Sequence, residues 1–325
     1  MFKGYDMDPG ALLNSIKDKG WSRIVLQAPE GIMPDVVELS FFLQERGLEV
    51  SLVLDPCYGA CDLKSLPEGF HGLVHIGHSM MPGQDAFFVE LHSKAHNIDP
   101  LVNMDLPDNI GLAATIQHIH LIPDAKEILS GRGKKSFVGV PSKTSRTIHP
   151  GQVLGCDVTT AVNISEDVDA YVLLASGSFH AKGLAASTGK RVYSLDPHTG
   201  AVEEVTGERL LRQRHGIIEA ARSGKRFGVI VSTKTGQNRM STASRLAGEL
   251  RKAGKEAIMM FADRLDPNMF LGLNIDVVVS TACPRIALDD HSNYNIPVLT
   301  PEDVRVMLGL KKWENYELDA ILLSN

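Results

Sequence analysis

The sequence predicts an α/β protein made of three similar α/β/α units, with parallel sheets arranged around a central site. Short β-branched apolar runs alternate with amphipathic helical stretches, as in sheets covered on both faces. That alternation recurs three times along 325 residues, a length suited to two or three domains. Each third also carries a cysteine in a loop beside its strands.

In the first unit (residues 1–108) strands are expected at 23–27, 50–54, 72–77 and 101–104. The helix expected at 34–46 places Val36, Val37, Leu39, Phe42 and Leu43 on one face and stops at Gly47. The second unit (109–215) offers strands at 137–140, 170–175 and 191–195, and reads as eroded, with a long loop where the first unit has its helix. The third unit (216–325) offers strands at 227–232, 256–261 and 276–280 and a helix at 241–253.

Hydrophobic residues make up 43% and charged residues 22%, as in an average globular chain. A formal charge of -6 provides no basic stripe for nucleic acid and no cationic patch for a membrane surface. Apolar runs such as 275–279 fall far short of the roughly 18 residues of a membrane span. The first residues lack the apolar core and cleavage site of a signal peptide, so a cytoplasmic location is expected. There, four cysteines are expected to stay reduced, for metal binding, catalysis or plain burial.

Three of them share a setting. Cys61 follows the strand expected at 50–54, Cys156 lies in a loop of the second unit, and Cys283 leaves the strand expected at 276–280. Ligands of open parallel sheets collect beyond the carboxyl ends of the strands, so one cysteine per unit can converge on a centre. Small neighbours (Gly59, Ala60, Gly155, Ala282) would let backbone approach a bulky group. Structural zinc more often uses local Cys-x2-Cys pairs, which are lacking. Three thiolates from separate loops suit a cubane iron–sulfur cluster with one iron left open. Spacing alone leaves burial of small hydrophobes as the alternative. Cys57 and Cys61 fit the start of a Cys-x3-Cys-x2-Cys motif, but Lys64 takes its third place, so Cys57 is read as a neighbour and not a ligand.

The segments 26–31 (LQAPEG), 58–62 (YGACD), 75–79 (HIGHS), 151–156 (GQVLGC), 232–237 (STKTGQ) and 282–285 (ACPR) occur in family order across nearly the whole chain. Together they resemble the archaeal 2-(3-amino-3-carboxypropyl)histidine synthase family, which performs the first step of diphthamide biosynthesis. The resemblance implies a homodimer of three-domain subunits, each with a [4Fe-4S] cluster on the positions of Cys61, Cys156 and Cys283. It implies cleavage of S-adenosylmethionine at the sulfonium–γ-carbon bond to a 3-amino-3-carboxypropyl radical, added to a histidine of translation elongation factor 2. An electron donor must feed the cluster. Two departures, Ile76 within the histidine motif and the extra Cys57, remove no ligand.

Polar residues after strands are candidates to hold the methionine end: Gln27, Glu30, His75, His78, Ser176, Ser178, His180, Lys234, Gly236, Gln237 and Asp289. Each has a plainer reading. Gln27 and Glu30 suit loop backbone, the histidines suit a core, Ser176 and Ser178 suit a helix cap, and Asp289 suits a solvated pair with Asp290. Segment 232–237 lacks the Gly-x4-Gly-Lys-Ser/Thr spacing of a phosphate loop. The methionines at 80–81 and 259–260 read as core filler, and 310–314 as a solvated helix face.

The nearest rival is a quinolinate-synthase-like enzyme, using an open cluster iron as a Lewis acid on small molecules. A non-catalytic partner subunit would not need all three cysteines. A dinucleotide-binding protein would carry Gly-x-Gly-x2-Gly after its first strand, which is absent.

Overall fold

A computed structural model describes residues 1–323 and shows three parallel-sheet units in sequence order. The first contains β1 (Tyr5–Asp6), α1 (Pro9–Asp18), β2 (Arg23–Gln27), α2 (Met33–Gln44), β3 (Glu49–Leu52), β4 (Gly72–Ile76), β5 (Phe87–Val89) and β6 (His92–Ser93). The second contains β7 (Asn109–Ala114), α3 (Ile122–Gly131), β8 (Lys135–Phe137), α4 (Thr159–Val162), β9 (Ala170–Leu174), α5 (Phe179–Thr188), β10 (Arg191–Leu195) and β11 (Val202–Val205). The third contains α6 (Glu208–Ala221), β12 (Arg226–Ser232), α7 (Met240–Lys252), β13 (Glu256–Ala262), β14 (Val277–Ser280), α8 (Arg285–Leu288), β15 (Val298–Leu299) and α9 (Pro301–Met307).

The sheets run β3-β2-β4-β5, β8-β7-β9-β10-β11 and β13-β12-β14-β15. Numbered within its unit, each therefore follows the order 2-1-3-4, and the second adds an antiparallel edge strand, β11. This repeat is a matter of topology, and it puts a switch point between the first and third strands of every unit, where parallel sheets open a crevice. A separate antiparallel pair joins β1 to β6.

Local sequence explains the elements. In α2, Pro34 suits the first turn, Val36, Leu39 and Leu43 are fully buried, and Gly47 at φ +91° ends the segment. Each such leucine contributes about 1.5–3 kcal/mol by leaving water. In α7, Ala243, Leu246, Ala247 and Leu250 recur at helical spacing on the core face, and Arg251 and Lys252 stand at the negative end of the dipole.

Five expectations change. The strand expected at 101–104 is a 3₁₀ turn, Asp99–Val102, started by Pro100. The second unit begins earlier than expected, with β7, which the sequence reading missed, and α3 follows β7 as α2 follows β2. The strand expected at 137–140 stops at Phe137, because Gly139 passes so close to the Thr160 carbonyl that a Cβ would lie 1.7 Å from it. No helix covers 310–314; α9 ends at Met307 and Trp313–Asn315 is a 3₁₀ turn. The line between 215 and 216 also falls inside α6, whose Ile218 and Ala221 pack in the third core.

The units are tied across their strand ends. Lys234 and Asp62 form a buried ion pair between the third and first units. Gln152 Nε2 donates to Ser79 Oγ at 2.6 Å, and Arg146 Nη1 to the Gly236 carbonyl at 2.6 Å. After α9 the chain returns to the second unit. Ile321 N donates to the Cys156 carbonyl at 3.0 Å, and Arg239 clamps Asp319 with two bonds of 2.9 and 2.6 Å.

Candidate metal centre

Cys61 sits in a 3₁₀ turn, Ala60–Asp62, that β3 delivers through a short loop. Cys156 lies in a tight loop closed by the Leu154–Asp157 bridge after β8. Cys283 comes three residues after β14. All three thiols line one cavity of about 260 Å³, with His78, Arg146, His180 and Arg285 among its other walls. A second cleft of about 410 Å³ shares Cys61, Cys283 and Arg285 and adds Lys234, Gln237, Asp263 and Asp290. Close approach needs small residues here. A Cβ on Gly236 would lie 2.4 Å from Cys61 Cα, and one on Gly155 2.3 Å from the Phe179 ring.

Burial pushes the three thiols above their ordinary value of 9.0, Cys283 to about 11. Each thiolate also disfavours its neighbours: Cys283 and Cys61 both raise Cys156. The Gln237 amide works the other way, donating Nε2 to Cys61 Sγ at 3.2 Å. Metal-free, the trio holds its protons. Cationic iron would reverse that balance, because it stabilises thiolate directly. These residues fit a cubane: three thiols from three loops share a space, and an amide N–H supports one sulfur.

Among the other candidates, His78 and His180 line the cavity with the thiols, and desolvation lowers each imidazole to about 4. Lys234 and Gln237 line the larger cleft. Gln27 is fully buried and spent on the loop of Cys61: its Nε2 donates to the Asp62 carbonyl at 2.7 Å and its Oε1 accepts from Lys64 N at 3.4 Å. Glu30 is exposed in a 3₁₀ turn. Ser176 donates to Asp196 at 3.1 Å, and Ser178 stands at the α5 N-cap without a side-chain cap bond. Asp289 accepts from Arg285 Nε at 3.3 Å, and burial raises its pKa. His75 is buried beneath His78, bonded Nε2 to Nδ1 at 3.0 Å.

Arg146, Arg285 and Asp62 were not singled out from sequence. Arg146 is buried on the cavity wall, bonded to Gly236, and its Nε lacks a partner among the described residues. The Arg285 guanidinium lies 4.3 Å from the Phe179 ring centre. Asp62 and Arg285 sat inside quoted motifs as neighbours of cysteines, whereas Arg146 belongs to a loop with no pattern to mark it.

The family model described as "diphthamide synthesis protein" matches residues 28–317. The 2-(3-amino-3-carboxypropyl)histidine synthase of Pyrococcus horikoshii is 35% identical, over 98% of this chain and 94% of its own. Subunit 1 of the human enzyme of that name is 28% identical, over 91% of this chain and 70% of its own. The crystal structure of Dph2 from Pyrococcus horikoshii with a 4Fe-4S cluster superposes with a TM-score of 0.89 at 34% identity, covering 98% of this chain and 95% of that one.

Proposed function

This chain belongs to the family of diphthamide synthesis proteins, and from that premise we propose that it is a 2-(3-amino-3-carboxypropyl)histidine synthase. It transfers the 3-amino-3-carboxypropyl group of S-adenosylmethionine to a histidine of translation elongation factor 2 by radical chemistry. The observation that carries this reading is the meeting of Cys61, Cys156 and Cys283, one from each unit, on one cavity.

Cys61, Cys156 and Cys283 would hold a [4Fe-4S] cluster, which would supply one electron for the cleavage. The sulfonium–γ-carbon bond breaks, methylthioadenosine leaves with the sulfur, and the γ-carbon joins an imidazole carbon whose proton departs. The electron taken in at cleavage is returned as the ring regains aromaticity, so the transfer is redox-neutral overall. Selecting that bond over the ribose bond is a matter of positioning. Arg146 and Arg285 give the cavity fixed positive charge for the α-carboxylate. His78 and His180, neutral above about pH 4, can accept from the ammonium. Gln237 steadies Cys61, and Gln27 acts through the backbone of the Cys61 loop. The family resemblance adds a homodimer, a cytoplasmic setting and a separate electron donor. Among the described residues no helix is long and apolar enough to cross a membrane.

The test is product analysis under anaerobic conditions with reductant, S-adenosylmethionine and elongation factor 2. Methylthioadenosine and a labelled elongation factor are expected together. Deoxyadenosine as the main product would overturn the assigned bond.

A further inference from the structure

Beside the three-thiol cavity lies a second donor set. Cys57, His75 and His78 each offer a ligand atom, and the three atoms lie within 4.8 Å of one another. The fold builds the set from the loop after β3 and the end of β4 with the turn that follows it. His75 is the last residue but one of β4, Gly77 turns the chain at φ +106°, and His78 folds back so that the rings stack at 5.2 Å and 24°. Cys57, from the loop after β3, is buried against them, with a contact of 3.6 Å to the Gly59 carbonyl as its hydrogen bond. His75 is fully buried, and its Nε2 meets His78 Nδ1 at 3.0 Å, so the two imidazoles already present facing nitrogens side by side.

We propose that Cys57, His75 and His78 bind a single zinc-class divalent ion, separate from the three-thiol site. Two imidazoles and a thiolate are borderline-soft donors that suit zinc. The facing ring nitrogens, 3.0 Å apart, are near the edge of about 3.3 Å expected for two nitrogens on a tetrahedral zinc. With three protein ligands, the fourth position is left to water or a small anion. His78 also reaches the cavity wall, so the ion would tie the histidine turn to the loop that carries both Cys57 and Cys61. Cys57 thus gains a ligand role of its own, without joining the trio. His78 as an ion ligand would meet S-adenosylmethionine through that ion instead of directly.

The site does not depend on the cluster, and its test separates the two. Anaerobically loaded full-length protein, given zinc and dialysed, should hold about four iron and about one zinc per chain; Cys57→Ala should keep the iron and lose the zinc. A Cys61→Ser/Cys156→Ser/Cys283→Ser variant, titrated with Co²⁺, should bind about one equivalent with a thiolate-to-cobalt band in the near ultraviolet. Adding Cys57→Ser should remove that band, and His75→Gln should weaken binding at least about tenfold. Zinc below about a tenth of an equivalent in the loaded protein, or binding unchanged by Cys57→Ala, overturns the proposal. So does cobalt binding without the thiolate band in the triple variant. Loss of iron alone would count against the cluster reading and leave the zinc site standing.

Discussion

The first and third units share a strand order but present their cysteines from different loops. In the first, Cys61 follows β3, the second strand of the unit, and the loop after the third strand carries His78. In the third, the loop after the second strand carries Asp263 and Arg264, and Cys283 follows the third strand. The second unit sides with the first: Cys156 after β8, His180 shortly after β9. Parallel strands fix the rim to which loops are delivered, and two different loops of one rim can reach the same space. A repeated sheet therefore does not imply a repeated ligand. What the units hold in common is a strand order and a direction; the chemistry is placed loop by loop.

The largest expected effect tests whether these unlike loops supply equivalent ligands. Cys61→Ala, Cys156→Ala and Cys283→Ala should each leave under about one iron per chain after anaerobic loading and lower turnover at least about 100-fold. Iron and acid-labile sulfide analysis checks this. A Cys283→Ala protein that keeps all its iron would break the comparison, because the third unit would then lie beside the site without building it.

Much of this was legible in the sequence. β2, β9 and α7 come from unbroken apolar runs or clean helical spacing, which few alternatives satisfy. β7 was missed because Gly111 and two alanines dilute its β-branched signal; the glycine is there because the Tyr171 ring lies 2.3 Å from where its Cβ would be. The cysteine positions were readable as residues after strands, but assigning Cys283 to a third strand required the strand order. Arg146 and the return of 317–323 to the Cys156 loop arise from contacts between distant segments, on which local pattern is silent.

A middle-sized effect concerns the joint between the first and third units. Lys234 and Asp62 pair where water hardly reaches, with side chains 7% and 2% exposed. Lys234→Met strands a buried carboxylate and should cost about 3–5 kcal/mol, read from urea unfolding of the loaded protein. Asp62→Asn combined with Lys234→Met should recover most of that loss, because neither charge is left unpaired. If the single and double variants unfold alike, the joint rests on Gly236 packing against Cys61 and not on charge.

The smallest effect asks whether the loop after the third strand faces the same environment in the second unit as in the first. Burial, then Arg285, lowers His180 to about 4 from 6.5, and burial lowers His78 to about 4 as well. The unfolded chain binds a proton at each histidine near pH 6.5, whereas the folded chain does so only near pH 4. Between those values the unfolded state holds more protons, so stability is full above about pH 6.5 and falls as pH drops towards 4. Each histidine contributes at most about 1.4 kcal/mol per pH unit to that slope. In metal-free protein, His180→Gln should therefore flatten the acid limb by close to one proton, measured as unfolding free energy at pH 7, 6 and 5. An unchanged slope would mean that His180 is solvated, and that the cavity is walled after the third strand in the first and third units alone.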